Sequence, residues 1–222
     1  MTLQNRVDPW GALVADPARG TLMGNRGGRI HDAAQKLGRR RWASPRWIAC
    51  EMSFKDRPPR DVWGDSYTEL FFLDEVTALA AGHRPCFECR RAEAKAFVAG
   101  RPLADFDAQL HAERTGEKPE VLLSAVPDGA MVEIAGAAFA RRDNRLLRWS
   151  FGGYTAAETI TADFRVKLLT PPTITAILRN GYQPRWHRSA QRPVPASCAD
   201  PFQANFPYSC SFTHRGFLRA KP

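Results

Sequence analysis

The chain has 222 residues, 44% of them hydrophobic and 25% charged, and its formal net charge is +9. This composition is typical of a globular protein of one or two domains, whose size alone requires neither a metal nor a disulfide. It excludes a membrane span, because no apolar run approaches the roughly 20 residues of a transmembrane helix, and the N-terminus has no signal-peptide pattern, so we expect a cytoplasmic location.

Residues 1–45 form a basic N-terminal segment that many glycines and prolines interrupt. Between Arg19 and Arg46 the chain carries seven arginines and one lysine against a single acid, Asp32. Such a concentration of positive charge attracts polyanions, so nucleic acid is the expected partner, with DNA favoured over RNA; a solvated basic face is the alternative. The candidate nucleic-acid-binding residues are Arg26, Arg29, Arg39, Arg40, Arg41, Arg46, Arg90 and Arg91.

The local structure expected in this segment is loops and short strands. GALVA and GTLM are the candidate strands, and a short helix is expected from Asp32 to Leu37. The run GNRGGR (24–29) offers glycine amides beside two arginines, which makes it a candidate phosphate cradle.

Residues 46–118 combine two expected strands with three expected helices. RWIAC and TELFFL mix β-branched, aromatic and apolar residues, and we expect these two strands to pair antiparallel. Asp74 is the expected N-cap of a short helix that Gly82 ends. A second helix is expected to begin inside CFECRR, and FDAQLHAER (106–114) predicts a third.

Residues 119–187 change to strand-like segments separated by turn dipeptides such as Asp143-Asn144, which predicts an antiparallel sheet or small barrel. A helix is expected in TPPTITAILRNGY, after the prolines. Residues 188–222 are rich in proline and serine, which predicts a poorly ordered tail. The expected fold class is therefore α+β, with a zinc-knuckle module of a β-hairpin and short helices joined to an antiparallel β-rich C-terminal part.

The cysteines point to metal binding. Their odd number, five, argues against a disulfide framework in a reducing compartment. In GHRPCFECRR, Cys86 and Cys89 have the spacing of a zinc knuckle, in which two thiolates from a tight turn bind one ion. A redox pair is disfavoured, because a strand normally precedes such a pair and a helix is expected here. Cys50, at the end of RWIAC, is the expected third ligand.

Two stretches of the chain match the order of elements in a known family: IAC (48–50) and LFFLDEVTALAAGHRPCFECRR (70–91). The elements are an aromatic strand, an Ala-rich short helix and a basic CxxC turn. In this order the span from Trp47 to Arg91 resembles the Ada-type zinc-binding domain of a bacterial methylation-repair protein. The resemblance implies a Zn²⁺ ion bound by cysteines. It also implies that Cys50, at the first ligand position, could accept a methyl group from a DNA phosphotriester.

One departure from that family concerns the ligand set. Phe54 stands where the family has its second cysteine, so the ion has either a fourth ligand from elsewhere or an open position. His31 is the preferred fourth ligand, because it precedes the strand of Cys50 and has Asp32 beside it as a hydrogen-bond partner. The remaining candidates are His83, which also suits a ring that fills the turn, Cys210 and His214; Cys198 is expected to be a free thiol.

A second polar cluster lies on the third expected helix. Asp107 and His111 are one turn apart, which suits an acid/base pair or metal ligands, and an exposed, salt-bridged helix is the simpler interpretation. No GxSxG, HExxH or kinase signature occurs in the chain.

These observations predict a zinc-binding, nucleic-acid-binding protein with a structural metal site. The alternatives are an enzyme acting on nucleic acid and a protein-interaction scaffold with structural zinc. The enzyme would be a repair methyl acceptor at Cys50 or a nuclease, and its candidate catalytic residues are Cys50 and His111. The pattern gives no indication of the oligomeric state.

Overall fold

A computed structural model describes residues 2–55, 61–159 and 163–191, with side chains described for all of these except 156–159. Within these ranges the chain is α+β, as predicted, with two six-stranded sheets and four α-helices. Most of the predicted tail, from residue 192 onward, lies outside the described residues, as do Cys198, Cys210 and His214.

The first sheet is mixed and is built from the N-terminal half of the chain. Its strand order is β2-β1-β5-β3-β4-β6. Its strands are β1 (Arg6–Val7), β2 (Leu13–Val14), β3 (Leu22–Arg26), β4 (Trp47–Cys50), β5 (Leu70–Phe72) and β6 (Arg84–Pro85).

The expected pairing of the strands now identified as β4 and β5 is wrong, because β3 lies between them. Both strands are antiparallel to β3, and Met23 lies opposite Cys50 on one side and Phe71 on the other. All five residues of β3 are buried, which suits a central strand. On its other edge β4 pairs in parallel with β6. This pairing brings the residue after β6, Cys86, beside the end of β4.

The second sheet is antiparallel throughout, which agrees with the predicted β-rich C-terminal part. Its strand order is β11-β10-β9-β8-β12-β7. Asp143 and Asn144 connect β9 to β10 with φ of 47° and 58°, the left-handed conformation that a tight hairpin turn requires. The strands are β7 (Glu120–Leu122), β8 (Met131–Ile134), β9 (Ala137–Arg142), β10 (Arg145–Ser150), β11 (Gly153–Thr159) and β12 (Arg165–Leu168).

The four helices are α1 (Glu75–Ala80), α2 (Arg91–Val98), α3 (Leu103–Thr115) and α4 (Pro172–Arg179). Helix α2 begins two residues after Cys89 rather than inside the CxxC, because residues 86–89 form a turn in which the Arg90 amide donates to the Cys86 carbonyl. The helix expected from Asp32 to Leu37 does not form. Instead the Asp32 carboxylate accepts hydrogen bonds from the backbone amides of Ala34 and Lys36, which closes a local turn.

Helix α1 connects the two sheets. All six of its residues are buried. Ala78 packs in the hydrophobic cluster of the first sheet, whereas Val76 and Ala80 pack with Met131 and Leu147 of the second. Because both faces of α1 are covered, the first sheet is fixed relative to the second. None of the described helices is long and apolar enough to span a membrane.

Asp74, the N-cap of α1, is a buried hydrogen-bond hub. Its carboxylate accepts from the amide and hydroxyl of Thr77, from the Tyr154 hydroxyl and from the His187 amide. Burial raises the pKa of this carboxyl, and the four donors oppose that rise. The hub joins α1 to β11 and to the segment that follows α4.

We expect Asp74→Ala to destabilise the protein by about 2–4 kcal/mol, because the substitution removes a helix cap and leaves buried donors without partners. Urea unfolding followed by circular dichroism measures this change. Asp105→Ala, at an exposed position in the first turn of α3, is the matched control and should change stability by less than about 0.5 kcal/mol. Equal effects of the two substitutions would contradict this role of Asp74.

Candidate metal centre

Three cysteines converge where β4, β6 and the turn before α2 meet. Cys50 is the last residue of β4, Cys86 follows β6, and Cys89 ends the turn. The three sulfur atoms lie within 4.8 Å of one another. Among the described residues, these are the only His, Cys, Asp or Glu side chains grouped in a way that could hold a metal ion. The predicted convergence of the three cysteines is therefore confirmed.

Backbone hydrogen bonds support the arrangement of the three cysteines. The Cys86 amide donates to the Ala49 carbonyl across the β4–β6 pair, which sets the separation of the two strands at the cysteines. The amides of Glu51 and Glu88 point at the sulfurs of Cys89 and Cys86, at 3.4 and 3.3 Å. Amide donors of this kind stabilise thiolates, the form of cysteine that binds metals.

The geometry fits a tetrahedral metal ion. A Zn–S bond of about 2.3 Å in tetrahedral geometry places sulfurs about 3.8 Å apart, so the three sulfurs need only a small inward movement. Without a cation they share protons: the hydrogen bond from Cys50 lowers the pKa of Cys86, and the same bond raises the pKa of Cys50. Three sulfurs this close cannot all be thiolates unless a cation balances their charge.

A cleft of about 790 Å³ opens beside the three cysteines, and we call it the acidic cleft. Its lining contains five carboxylate side chains and no lysine or arginine among the described residues; the acids are Glu51, Asp61, Asp65, Glu69 and Glu88. Two of these acids are paired with arginines outside the lining, Glu51 with Arg185 and Asp65 with Arg29, so the negative charge of the cleft is smaller than the number of its carboxylates. The excess of carboxylates among the described lining residues favours a cation over a phosphate. Any metal ligand position left open by the cysteines would face this cleft.

Glu69 is the most unusual residue of the acidic cleft. Its side chain is buried, with 1% of the residue exposed. One carboxylate oxygen accepts a hydrogen bond from the Trp63 amide at 2.9 Å, and the other, Oε1, has no hydrogen-bond partner among the described residues. A buried carboxylate oxygen without a donor is costly, so a cation or a donor is expected to approach it. The composition of TELFFL predicted a strand and gave no signal for a buried carboxylate at this position.

A buried ion-pair network supports the turn that carries Cys86 and Cys89. Arg90 donates to Glu75 at 2.7 Å, and both side chains are 1% exposed. Arg185 bridges Glu51 and Glu93, both of which also lie within 3.7 Å of Arg90. The network therefore ties the residues next to Cys50 and Cys89 to α1 and to the segment after α4.

His31 does not join the cysteines. Its Nε2 contacts the Gly64 carbonyl at 3.0 Å and its Nδ1 contacts the Thr68 hydroxyl at 2.7 Å, while the ring stacks on Trp63. The Thr68 oxygen already accepts from the Ile30 amide, so its hydroxyl can donate to Nδ1. Both ring nitrogens are engaged, and the structure does not support His31 as the fourth ligand.

His83 also lies apart from the cysteines. Its buried ring packs 4.7 Å from the Phe72 ring and 4.9 Å from the Trp47 ring, so it fills the turn as the alternative interpretation predicted. Burial and the neighbouring guanidinium of Arg26 hold the pKa of His83 well below its usual value. Cys210 and His214 lie outside the described residues.

The predicted nucleic-acid-binding arginines fall into two groups. Arg90 is buried in the ion-pair network and cannot reach a phosphate, so its inclusion is corrected. Arg26 is also buried, on the opposite face of the first sheet. The other six are exposed, and one of them, Arg29, lies 3.8 Å from Asp65. They are Arg29, Arg39, Arg40, Arg41, Arg46 and Arg91.

Burial removes one of the two arginines of the GNRGGR run, Arg26, as a phosphate-binding residue, whereas Arg29 stays exposed. Gly27 and Gly28 have φ of 78° and 156° and line a cleft of about 420 Å³ together with Arg46. A side chain at Gly27 would overlap Ser44, so this tight turn requires glycine.

Asp107 and His111 do not act as a pair. The Asp107 carboxylate accepts two hydrogen bonds from Arg84, at 2.7 and 2.8 Å, and this ion pair is buried. His111 instead contacts Arg114 through Nδ1 and packs against Trp42. Burial and Arg114 lower the pKa of His111. Arg114 on the same helix is also buried, with 8% of the residue exposed, so this face of the helix is not the exposed, salt-bridged one of the simpler interpretation.

No protein-family model, curated protein or solved structure matches this chain. The resemblance to the Ada-type domain therefore stays a prediction, and the function has to be inferred from the site itself.

Removing Arg90 should destabilise the protein strongly. Arg90→Ala leaves the buried Glu75 carboxylate without its cation, which costs about 3–5 kcal/mol for pairs of this kind. Chemical denaturation of the purified variant measures the loss. The neighbouring Arg91→Ala, at an exposed position, should leave stability within about 0.5 kcal/mol of wild type. If Arg90→Ala behaves like Arg91→Ala, the network does not support the turn.

Proposed function

We propose that this protein binds one zinc ion through Cys50, Cys86 and Cys89 and that the zinc has a structural role. The observation that carries the proposal is the approach of the three sulfurs to within 4.8 Å. Thiolate ligands in tetrahedral geometry suit zinc better than magnesium or calcium, which prefer oxygen ligands. The resemblance to the Ada-type domain supports the same ion.

The structural role follows from what the cysteines connect. Cys50 belongs to a short strand, and Cys86 and Cys89 belong to a turn; only two residues of β6 pair with β4. An ion bound to all three sulfurs would crosslink β4 to the start of α2. The free energy of metal binding would then contribute directly to folding.

We infer nucleic-acid binding as the second activity, carried by the exposed arginines near β4. Arg39, Arg40 and Arg46 are exposed and lie in a segment with a large excess of positive charge. Exposed guanidiniums of this kind contact phosphates without regard to sequence. DNA remains the preferred partner, as the resemblance implies.

The methyl-acceptor alternative at Cys50 is less well supported. A DNA phosphotriester would have to enter the acidic cleft with charged phosphates on either side of it, and the excess of carboxylates in the described lining disfavours those phosphates. A hydrolytic role is the better enzyme alternative, because the unpartnered Oε1 of Glu69 and an open metal position would face the same cleft. A scaffold with structural zinc is the interpretation that remains if no nucleic acid binds.

Metal analysis of protein purified without a polyhistidine tag tests the zinc site. We expect one zinc per chain in the wild type and loss of most of this zinc in Cys50→Ser, Cys86→Ser and Cys89→Ser, together with a lower Tm. Cys198→Ser is the matched control and should retain the metal. Wild-type protein without zinc, or a Cys50→Ser variant with full zinc content, would refute the site.

Salt dependence tests the nucleic-acid proposal. The affinity for DNA should fall steeply as salt rises, and the combined variant Arg39→Ala/Arg40→Ala/Arg46→Ala should reduce the slope of log K against log salt by about 2–3. A variant with three exposed arginines replaced elsewhere, Arg145→Ala/Arg165→Ala/Arg188→Ala, loses the same charge and should keep the wild-type slope. Identical slopes for the two variants would show that the basic segment is not the binding surface.

A further inference from the structure

A second cleft lies on the opposite face of β4 from the cysteines. It has a volume of about 460 Å³. Among the described residues, its lining contains four cationic side chains, three tryptophans and no carboxylate. We call it the cationic cleft, and its cations are Arg26, Arg41, Arg114 and Lys118.

Two of these cations are buried around the ring of Trp47. The guanidinium carbons of Arg26 and Arg114 lie 3.9 and 4.0 Å from the Trp47 ring centroid, within the range of cation–π contacts. Arg26 donates to the Gly11 carbonyl, and Arg114 donates to the Gly82 carbonyl. Within the described part of the chain, the hydrogen-bond partners of both guanidiniums are backbone carbonyls and histidine nitrogens.

Neither guanidinium has a carboxylate partner in the part of the chain that the structure describes. Burial, with a like charge nearby, lowers the pKa of Arg26 and of Arg114 to about 9 each, and the more distant carboxylates of Asp8 and Asp107 offset this only in part. The Nε of Arg114 is buried and has no hydrogen-bond partner among the described residues. Buried charges without an ion-paired carboxylate are costly, so an anion that enters the cleft would relieve this cost.

Exposed tryptophans stand at the mouth of the cleft. Trp10 and Trp42 are 37% and 39% exposed, which is unusual for residues of this size. Trp42 packs at 6.0 Å from the Trp47 ring and at 5.2 Å from the His111 ring, so its position is fixed while part of its surface remains accessible to solvent. A rigid, accessible aromatic ring beside cations is the combination that binds a base together with its phosphate.

We propose that the cationic cleft binds a segment of single-stranded nucleic acid, with phosphate at Arg41 and Arg114 and an unstacked base on Trp42. This assignment rests on the proposed nucleic-acid binding and specifies its site and its substrate. The cleft is concave, and its charges are partly buried, so a single strand can enter it whereas the outer surface of a duplex cannot present a base to the ring.

The test measures binding of a fluorescent oligothymidine 12-mer to the full-length, metal-loaded chain by anisotropy, with the matching duplex as a second ligand. The wild type should bind the single strand more tightly than the duplex. Trp42→Ala and Arg41→Ala should each weaken binding of the single strand, by about five- to a hundredfold for the lost stacking partner. Trp42→Phe should recover part of the affinity, because it keeps an aromatic ring.

Arg145→Ala, an exposed position on the second sheet, is the control and should bind as the wild type does. If the wild type binds neither ligand, the proposed nucleic-acid function itself fails. If the wild type binds but Trp42→Ala and Arg41→Ala bind as tightly, while the Arg39/Arg40/Arg46 alanine variant does not, only the assignment to the cationic cleft is overturned. Thermal unfolding of each variant separates loss of binding from loss of fold.

Discussion

Alternation of side chains along β4 is the constraint on which both candidate sites depend. Successive side chains of a strand point to opposite faces, so Ile48 and Cys50 line the acidic cleft while Trp47 lines the cationic cleft. The register with β3 places Arg26 opposite Trp47 and therefore on the cationic face. A slip of one residue would exchange the two faces and would remove Cys50 from the other cysteines. Strand β4 has only four residues, so its position has to be fixed by contacts outside the sheet ladder.

Two features supply those contacts. The proposed metal would bind Cys50 at the end of β4, and the buried pair of Arg90 and Glu75 supports the cysteine turn from the side of α1. The charges of the described residues are separated accordingly: carboxylates predominate on the side of the cysteines, where they favour a cation, and guanidiniums without ion-paired carboxylates lie on the other side, where they favour an anion. In this arrangement the proposed metal would organise the strand that carries the proposed nucleic-acid site, without itself contacting the nucleic acid.

The cysteine triad could be predicted from the sequence because its signals are local: a CxxC turn, a short helix before it, and a third cysteine at the end of a recognisable strand. The order of the strands could not be predicted, because the insertion of β3 between β4 and β5 depends on long-range pairing that no local pattern encodes. The burial of charged side chains could not be predicted from the sequence either. Arg90 and Arg114 look like surface charges in a basic sequence, and only the fold shows that one is paired with Glu75 and the other lies against Trp47. His31 was placed near the metal by its position along the chain, whereas Thr68 and Gly64 hold its ring elsewhere.

The central claim is that three sulfurs of this chain bind a single ion. X-ray absorption at the zinc edge, on protein purified with its native metal, measures this most directly. We expect at least three sulfur scatterers at about 2.3 Å around each zinc ion. A first shell without sulfur, or with fewer than three sulfur atoms, would contradict this claim.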